Sequence, residues 1–66
     1  MSSKTLYEGN VGSYSFLMVD ENTIEVWSDM SSEHPESYIF LKDGDVKNEK
    51  SFHYEISSWY IKNVGN

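Results

Sequence analysis

Ser51-Phe52-His53-Tyr54-Glu55-Ile56-Ser57-Ser58-Trp59-Tyr60-Ile61-Lys62-Asn63-Val64 is the stretch on which the fold turns. Read at helical spacing, Phe52, Ile56, Trp59, Tyr60 and Asn63 fall at i, i+4, i+7, i+8 and i+11, which is one face. Ser51 is placed to cap the start, and Gly65 stands where such a helix would end. Read as a strand, Phe52, Tyr54 and Ile56 alternate with His53, Glu55 and Ser57, and the strand propensity of Phe, Tyr, Ile and Trp supports that reading. A strand over 51–64 would, however, need a bulge near Ser57-Ser58 to bring Trp59 and Ile61 back into phase. The helix is the better account.

The chain preceding this stretch reads as short alternating runs separated by turn signals. A first strand is expected at about 4–8, followed by Gly9-Asn10-Val11-Gly12, whose Gly-Asn pair marks a hairpin turn. The second run, 13–19, puts Tyr14, Phe16 and Met18 on one face and Ser13, Ser15, Leu17 and Val19 on the other. Asp20-Glu21-Asn22 makes a polar turn into a third strand at 23–28, with Ile24 and Val26 opposite Thr23, Glu25 and Trp27. A long polar connection occupies 29–37. A fourth strand follows at 38–42; its continuously apolar Tyr38-Ile39-Phe40-Leu41 reads as covered on both faces. Asp43-Gly44 marks the next turn.

A four-stranded sheet with an apolar face needs a lid, and 51–64 is the segment that can supply it. The expected fold is therefore α+β, a single domain over 1–66 with a four-stranded antiparallel β-meander and a C-terminal helix packed on one face. The strand reading of 51–64 gives the alternative, an all-β five-stranded small barrel or sandwich.

Size and composition narrow the function. The chain has 66 residues, no Cys and ten aromatics among 38% hydrophobic residues. Disulfides and cysteine-zinc sites are excluded, and His34 and His53 are too few for a histidine-rich site. A domain this small leans on a dense aromatic core, self-association or both. No segment reaches the roughly 18 apolar residues of a membrane span. Met1-Ser2-Ser3-Lys4 is not followed by the apolar run of a signal peptide, so a cytoplasmic location is expected.

The formal net charge is −6, unevenly spread. Between Lys4 and Lys42 every charged residue is acidic: Glu8, Asp20, Glu21, Glu25, Asp29, Glu33 and Glu36. Beyond that point Lys42, Lys47, Lys50 and Lys62 offset Asp43, Asp45, Glu49 and Glu55. Such a field opposes direct binding to nucleic acid or to an anionic membrane and steers toward a basic protein surface.

The candidate motifs are weak. Gly9-Asn10-Val11-Gly12 lacks the Gly-Lys-Ser/Thr ending of a phosphate loop. Counted as a calcium loop from Asp43, the chain places Lys47 and Tyr54 where oxygen ligands are required. Glu33, His34 and Glu36, with Asp29 nearby, read as a solvated connection rather than a metal or acid–base site. His53, near Ser51, Ser57 and Ser58, lies in no nucleophile signature. No catalytic residue, metal ligand or cofactor site is assigned.

The feature that remains is an aromatic surplus. On a helix that buries Ile56, Trp59 and Tyr60, the residues Tyr54 and Ile61 fall on the opposite side, where a monomer of this size has nothing to cover them. Trp59, Tyr54, Ile61 and Trp27 are therefore the candidate interface. The functional expectation is a small acidic non-catalytic interaction or accessory protein, a homo-oligomer and most simply a two-fold dimer. The alternative is an acidic inhibitor or DNA mimic, with Glu8, Glu21, Glu25, Glu33 and Glu36 occupying the basic groove of a nucleic-acid-binding protein.

Overall fold

The computed structural model describes residues 5–28 and 31–65. Four strands, β1 (Tyr7–Val11), β2 (Tyr14–Asp20), β3 (Thr23–Trp27) and β4 (Ser37–Phe40), precede one helix, α1 (Glu49–Asn63). The strands pair antiparallel in sequence order, β1-β2-β3-β4. The fold is the α+β meander with a C-terminal helix. The molecule measures 36 × 27 × 16 Å, and its thin dimension has room for one sheet and one helix layer only.

The first hairpin departs from the sequence reading. Gly9-Asn10-Val11 is strand, pairing with Phe16, Ser15 and Tyr14, and the turn is Gly12-Ser13. Gly12 takes a positive φ of 63° while Ser13 does not, the sign pattern of a type II′ turn that matches strand twist. Lys4, expected to open β1, lies outside the described residues. Gly9 serves a different purpose: a Cβ there would lie 3.2 Å from Ile56 Cδ1 and 3.3 Å from Phe52 Cε2. The missing side chain lets the helix settle directly on the β1 backbone.

Polar side chains tie the turns. The Asn22 backbone N–H donates to the Asp20 carboxylate at 2.8 Å, and the Asn22 side-chain amide donates to the Leu41 carbonyl and to Asp43, each at 3.2 Å. The β2–β3 hairpin, which carries a register shift between Met18 and Asp20, is thereby pinned to the end of β4. Gly44, at φ 87°, lets the chain turn so that Asp45 N–H reaches the Lys42 carbonyl at 3.1 Å. The carboxylates of Asp43 and Asp45 accept hydrogen bonds from Asn22 and the Lys42 backbone N–H, so they act as turn anchors.

The helix starts earlier than expected. Asn48, not Ser51, is the N-cap: its side-chain oxygen accepts the Ser51 N–H at 2.9 Å, and Ser51 Oγ accepts the Asn48 N–H at 3.1 Å. This reciprocal capping box satisfies two of the free donors of the first turn. Glu49 in the first turn and Lys62 in the last complement the helix dipole. At the other end, the N–H groups of Val64 and Gly65 both donate to the Tyr60 carbonyl at 2.8 Å.

Phe16, Met18, Ile24, Val26 and Leu41 meet Phe52 and Ile56 in one buried core. Rings extend it: Tyr7 stacks on Phe52 at 5.6 Å, and Trp59 meets Phe16 and Tyr14 edge-on at 5.7 and 5.8 Å. Tyr14 and Tyr60 are also edge-on, at 6.0 Å. Aromatic pairs of this kind contribute about 0.5–1.5 kcal/mol each beyond area burial. That is a useful supplement in a chain with a small core.

Two substitutions on the same helix should separate core from surface. Ile56 is fully buried and Ile61 is 65% exposed. Ile56→Ala should cost about 2–5 kcal/mol in urea unfolding, whereas Ile61→Ala should stay within about 0.5 kcal/mol of the parent. Gly12→Ala should lower the urea midpoint as well, because it strains a positive φ and puts a Cβ 2.5 Å from the Tyr60 hydroxyl. An unchanged midpoint for Gly12→Ala would contradict the turn and its packing under Tyr60.

Candidate interaction surface

Among the described residues, strand alternation and a single covering helix leave the second face of the sheet without a lid. The register sets Glu8 beside Leu17, Leu17 beside Glu25, and Glu25 beside Tyr38 in one row across all four strands. Asn10, Ser15 and Trp27 form the next row, and Thr23 and Phe40 pair on the other side. None of these side chains belongs to the core or packs against it. The expectation that Tyr38-Ile39-Phe40-Leu41 is covered on both faces fails. Ile39 and Leu41 face the core, while Tyr38 and Phe40 are 46% and 79% exposed.

This open face has an internal order. Tyr38 and Phe40 stack at 6.0 Å with planes 25° apart. The Trp27 indole N–H donates to the Glu25 carboxylate at 3.0 Å, which holds the half-buried ring on the sheet. Asn10 donates its amide to Ser15 Oγ at 2.8 Å. Leu17, Trp27, Tyr38 and Phe40 thus share this face with Glu8 and Glu25, and Glu25 stands between Leu17 and Tyr38. No strand contains a lysine, and the nearest in sequence, Lys42, follows β4.

The expected interface residues do not form one patch. Trp59 is half-buried against Phe16 and Tyr14 on the core side. Tyr54 and Ile61 lie on the outer side of α1, 70% and 65% exposed. Trp27 is on the open sheet face, a layer away from both. Leu17, Tyr38 and Phe40 were not singled out from the sequence. The signal for them was present, since Leu17 alternates with Phe16 and Met18 and Tyr38 and Phe40 alternate with Ile39.

The five candidate acidic residues are likewise spread. Glu8 and Glu25 share the open face on either side of Leu17, about 9–10 Å apart at two strand spacings. Glu21 sits in the β2–β3 turn at one end of β3, and Glu33 and Glu36 lie in the connection beyond its other end. Glu36 N–H donates to the Val26 carbonyl at 2.7 Å. His34 is exposed beside Glu33, His53 is exposed on α1, and Asp29 lies outside the described residues. Among the described residues no group of His, Asp or Glu is arranged to hold a metal ion, no polar side chain is buried, and no helix is long and apolar enough to cross a membrane.

Comparison with protein-family models, with curated proteins and with solved structures finds no match to this chain. The surface chemistry is therefore the basis for any functional reading.

Phe40 is an aromatic that the fold does not need. Phe40→Ser should change the unfolding free energy by no more than about 1 kcal/mol, the worth of a lost surface ring pair. Urea unfolding at low protein concentration checks this. A loss like that of a core residue would mean that Phe40 is covered within the monomer.

Proposed function

We propose that this chain is a small non-catalytic interaction protein that self-associates, and that the open face of its sheet is the surface it uses. The observation that carries the reading is the exposure of Phe40 and Tyr38 beside Leu17 and Trp27, on a face with no covering layer among the described residues. Exposed aromatic residues that adjoin one another, as Tyr38 and Phe40 do, are the kind that dominate binding energy at protein contacts. The broad side of the molecule, 36 × 27 Å, can supply the roughly 800 Å² per partner of a standard interface.

A second reading rests on the same face. Glu8 and Glu25 stand among the apolar side chains without a strand lysine to balance them, which suits a basic protein partner and an inhibitory role. The two readings differ in what a pure sample does. Size exclusion with light scattering should give a mass rising with concentration above the 7.7 kDa monomer. Phe40→Glu should weaken that association about tenfold or more. A parent protein that stays monomeric at every concentration would overturn self-association and leave the basic-partner reading.

A further inference from the structure

The open sheet face is acidic and aromatic, and the opposite side of the molecule carries the complement. On α1, at about 100° per residue, Lys50, Tyr54 and Ile61 fall within roughly 40° of one another. They point away from the side that buries Phe52 and Ile56. Tyr54 and Ile61 are the two large exposed apolar residues of the helix proper. Lys47 lies just before the helix and Lys62 near its end. On the same count Lys62 falls beside Glu55 on one flank of the stripe, His53 lies on the other flank, and Glu49 falls on the side of Phe52 and Ile56.

Two concavities open along the stripe. One, of about 400 Å³, is lined by Lys47, Asn48, Lys50, Ser51 and Tyr54. The other, of about 370 Å³, is lined by Ser58, Ile61, Lys62 and Gly65. The molecule therefore presents Tyr38 and Phe40 as projections among carboxylates on one broad side. On the other it presents shallow concavities with Lys47, Lys50 and Lys62 among their lining residues.

Charge decides how two copies can meet. A two-fold contact of sheet face on sheet face would bring the Glu8 and Glu25 carboxylates of both copies into one contact, with no strand lysine to balance them. Desolvating like charges in that way is unfavourable. Sheet face against helix back sets the carboxylates against Lys47 and Lys50, and the rings against the shallow surface around Tyr54 and Ile61.

We infer that the occupant of the open sheet face is the outer side of α1 from a second copy, so that copies associate head to tail. The inference rests on the self-association proposed above and replaces the simple two-fold dimer with a heterologous contact. Such a contact leaves one unused surface of each kind on every pair, so it propagates into longer series unless the rotation closes a ring.

The test uses two blocked variants of the full chain, Phe40→Glu on the sheet side and Ile61→Glu on the helix side. Both positions are exposed, and urea unfolding confirms that each folds. If either does not, Tyr38→Glu or Tyr54→Glu takes its place. By size exclusion with light scattering, each variant alone should be a monomer under conditions where the parent associates. An equimolar mixture should give a 1:1 heterodimer, because one sheet face and one helix back remain intact between them. Charge reversal should behave the same way: Glu25→Lys and Lys50→Glu should each weaken association about tenfold or more, and mixing them should restore it. If Ile61→Glu and Lys50→Glu still associate like the parent while Phe40→Glu does not, the head-to-tail contact is wrong and the sheet-face reading survives. If Phe40→Glu associates like the parent, or the parent is always monomeric, both fall.

Discussion

Phe52 and Ile56 rest on the β1 backbone at Gly9, where there is no side chain to hold the helix away. The rest of the molecule follows from that seat. It places Trp59 against Phe16 and Tyr14, and Tyr60 over the Gly12 turn. It also commits the helix to one face of the sheet. Among the described residues no second element covers the other face.

Stability therefore rests on one face of the sheet, and the proposed interaction would use the other. The core face is apolar with a ring network, and no polar group is buried in it. The open face mixes aromatic rings with carboxylates, and its hydrogen bonds hold Trp27 and Asn10 in place without contributing to the core. Because strand side chains alternate, the same residues that fix the register also fix which rings are exposed. A substitution at Phe40 leaves the core residues untouched, and one at Ile56 does not.

The lysines and carboxylates add polarity to this division. The strands carry carboxylates and no lysine, whereas the helix carries both signs, with Lys50 on its outer stripe beside Tyr54 and Ile61 and Glu49 and Glu55 outside that stripe. The net charge of −6 conceals that arrangement. Association between such molecules is governed by which local surfaces can meet, and long-range repulsion between acidic chains acts on top of it.

The strand alternation of Tyr14, Phe16 and Met18, the polar turn at Asp20–Asn22 and the helical spacing of Phe52, Ile56 and Trp59 were legible from the sequence, because each is a local pattern tied to a backbone period. The turn at Gly12 and the cap at Asn48 were misplaced, since several neighbouring residues have suitable turn or capping chemistry and packing chooses among them. The strand role of Gly9 depends on a helix forty residues away, and no local signal reports it. The candidate surface divides in the same way. Tyr54 and Ile61 were legible as the outer side of a helix. That Trp59 is spent on the core, that Tyr38 and Phe40 are exposed, and that Glu8 and Glu25 flank Leu17 were decided only when strand order and the side chosen by the helix were set. Sequence fixes the period of each element, but which face is covered is a property of how the elements meet.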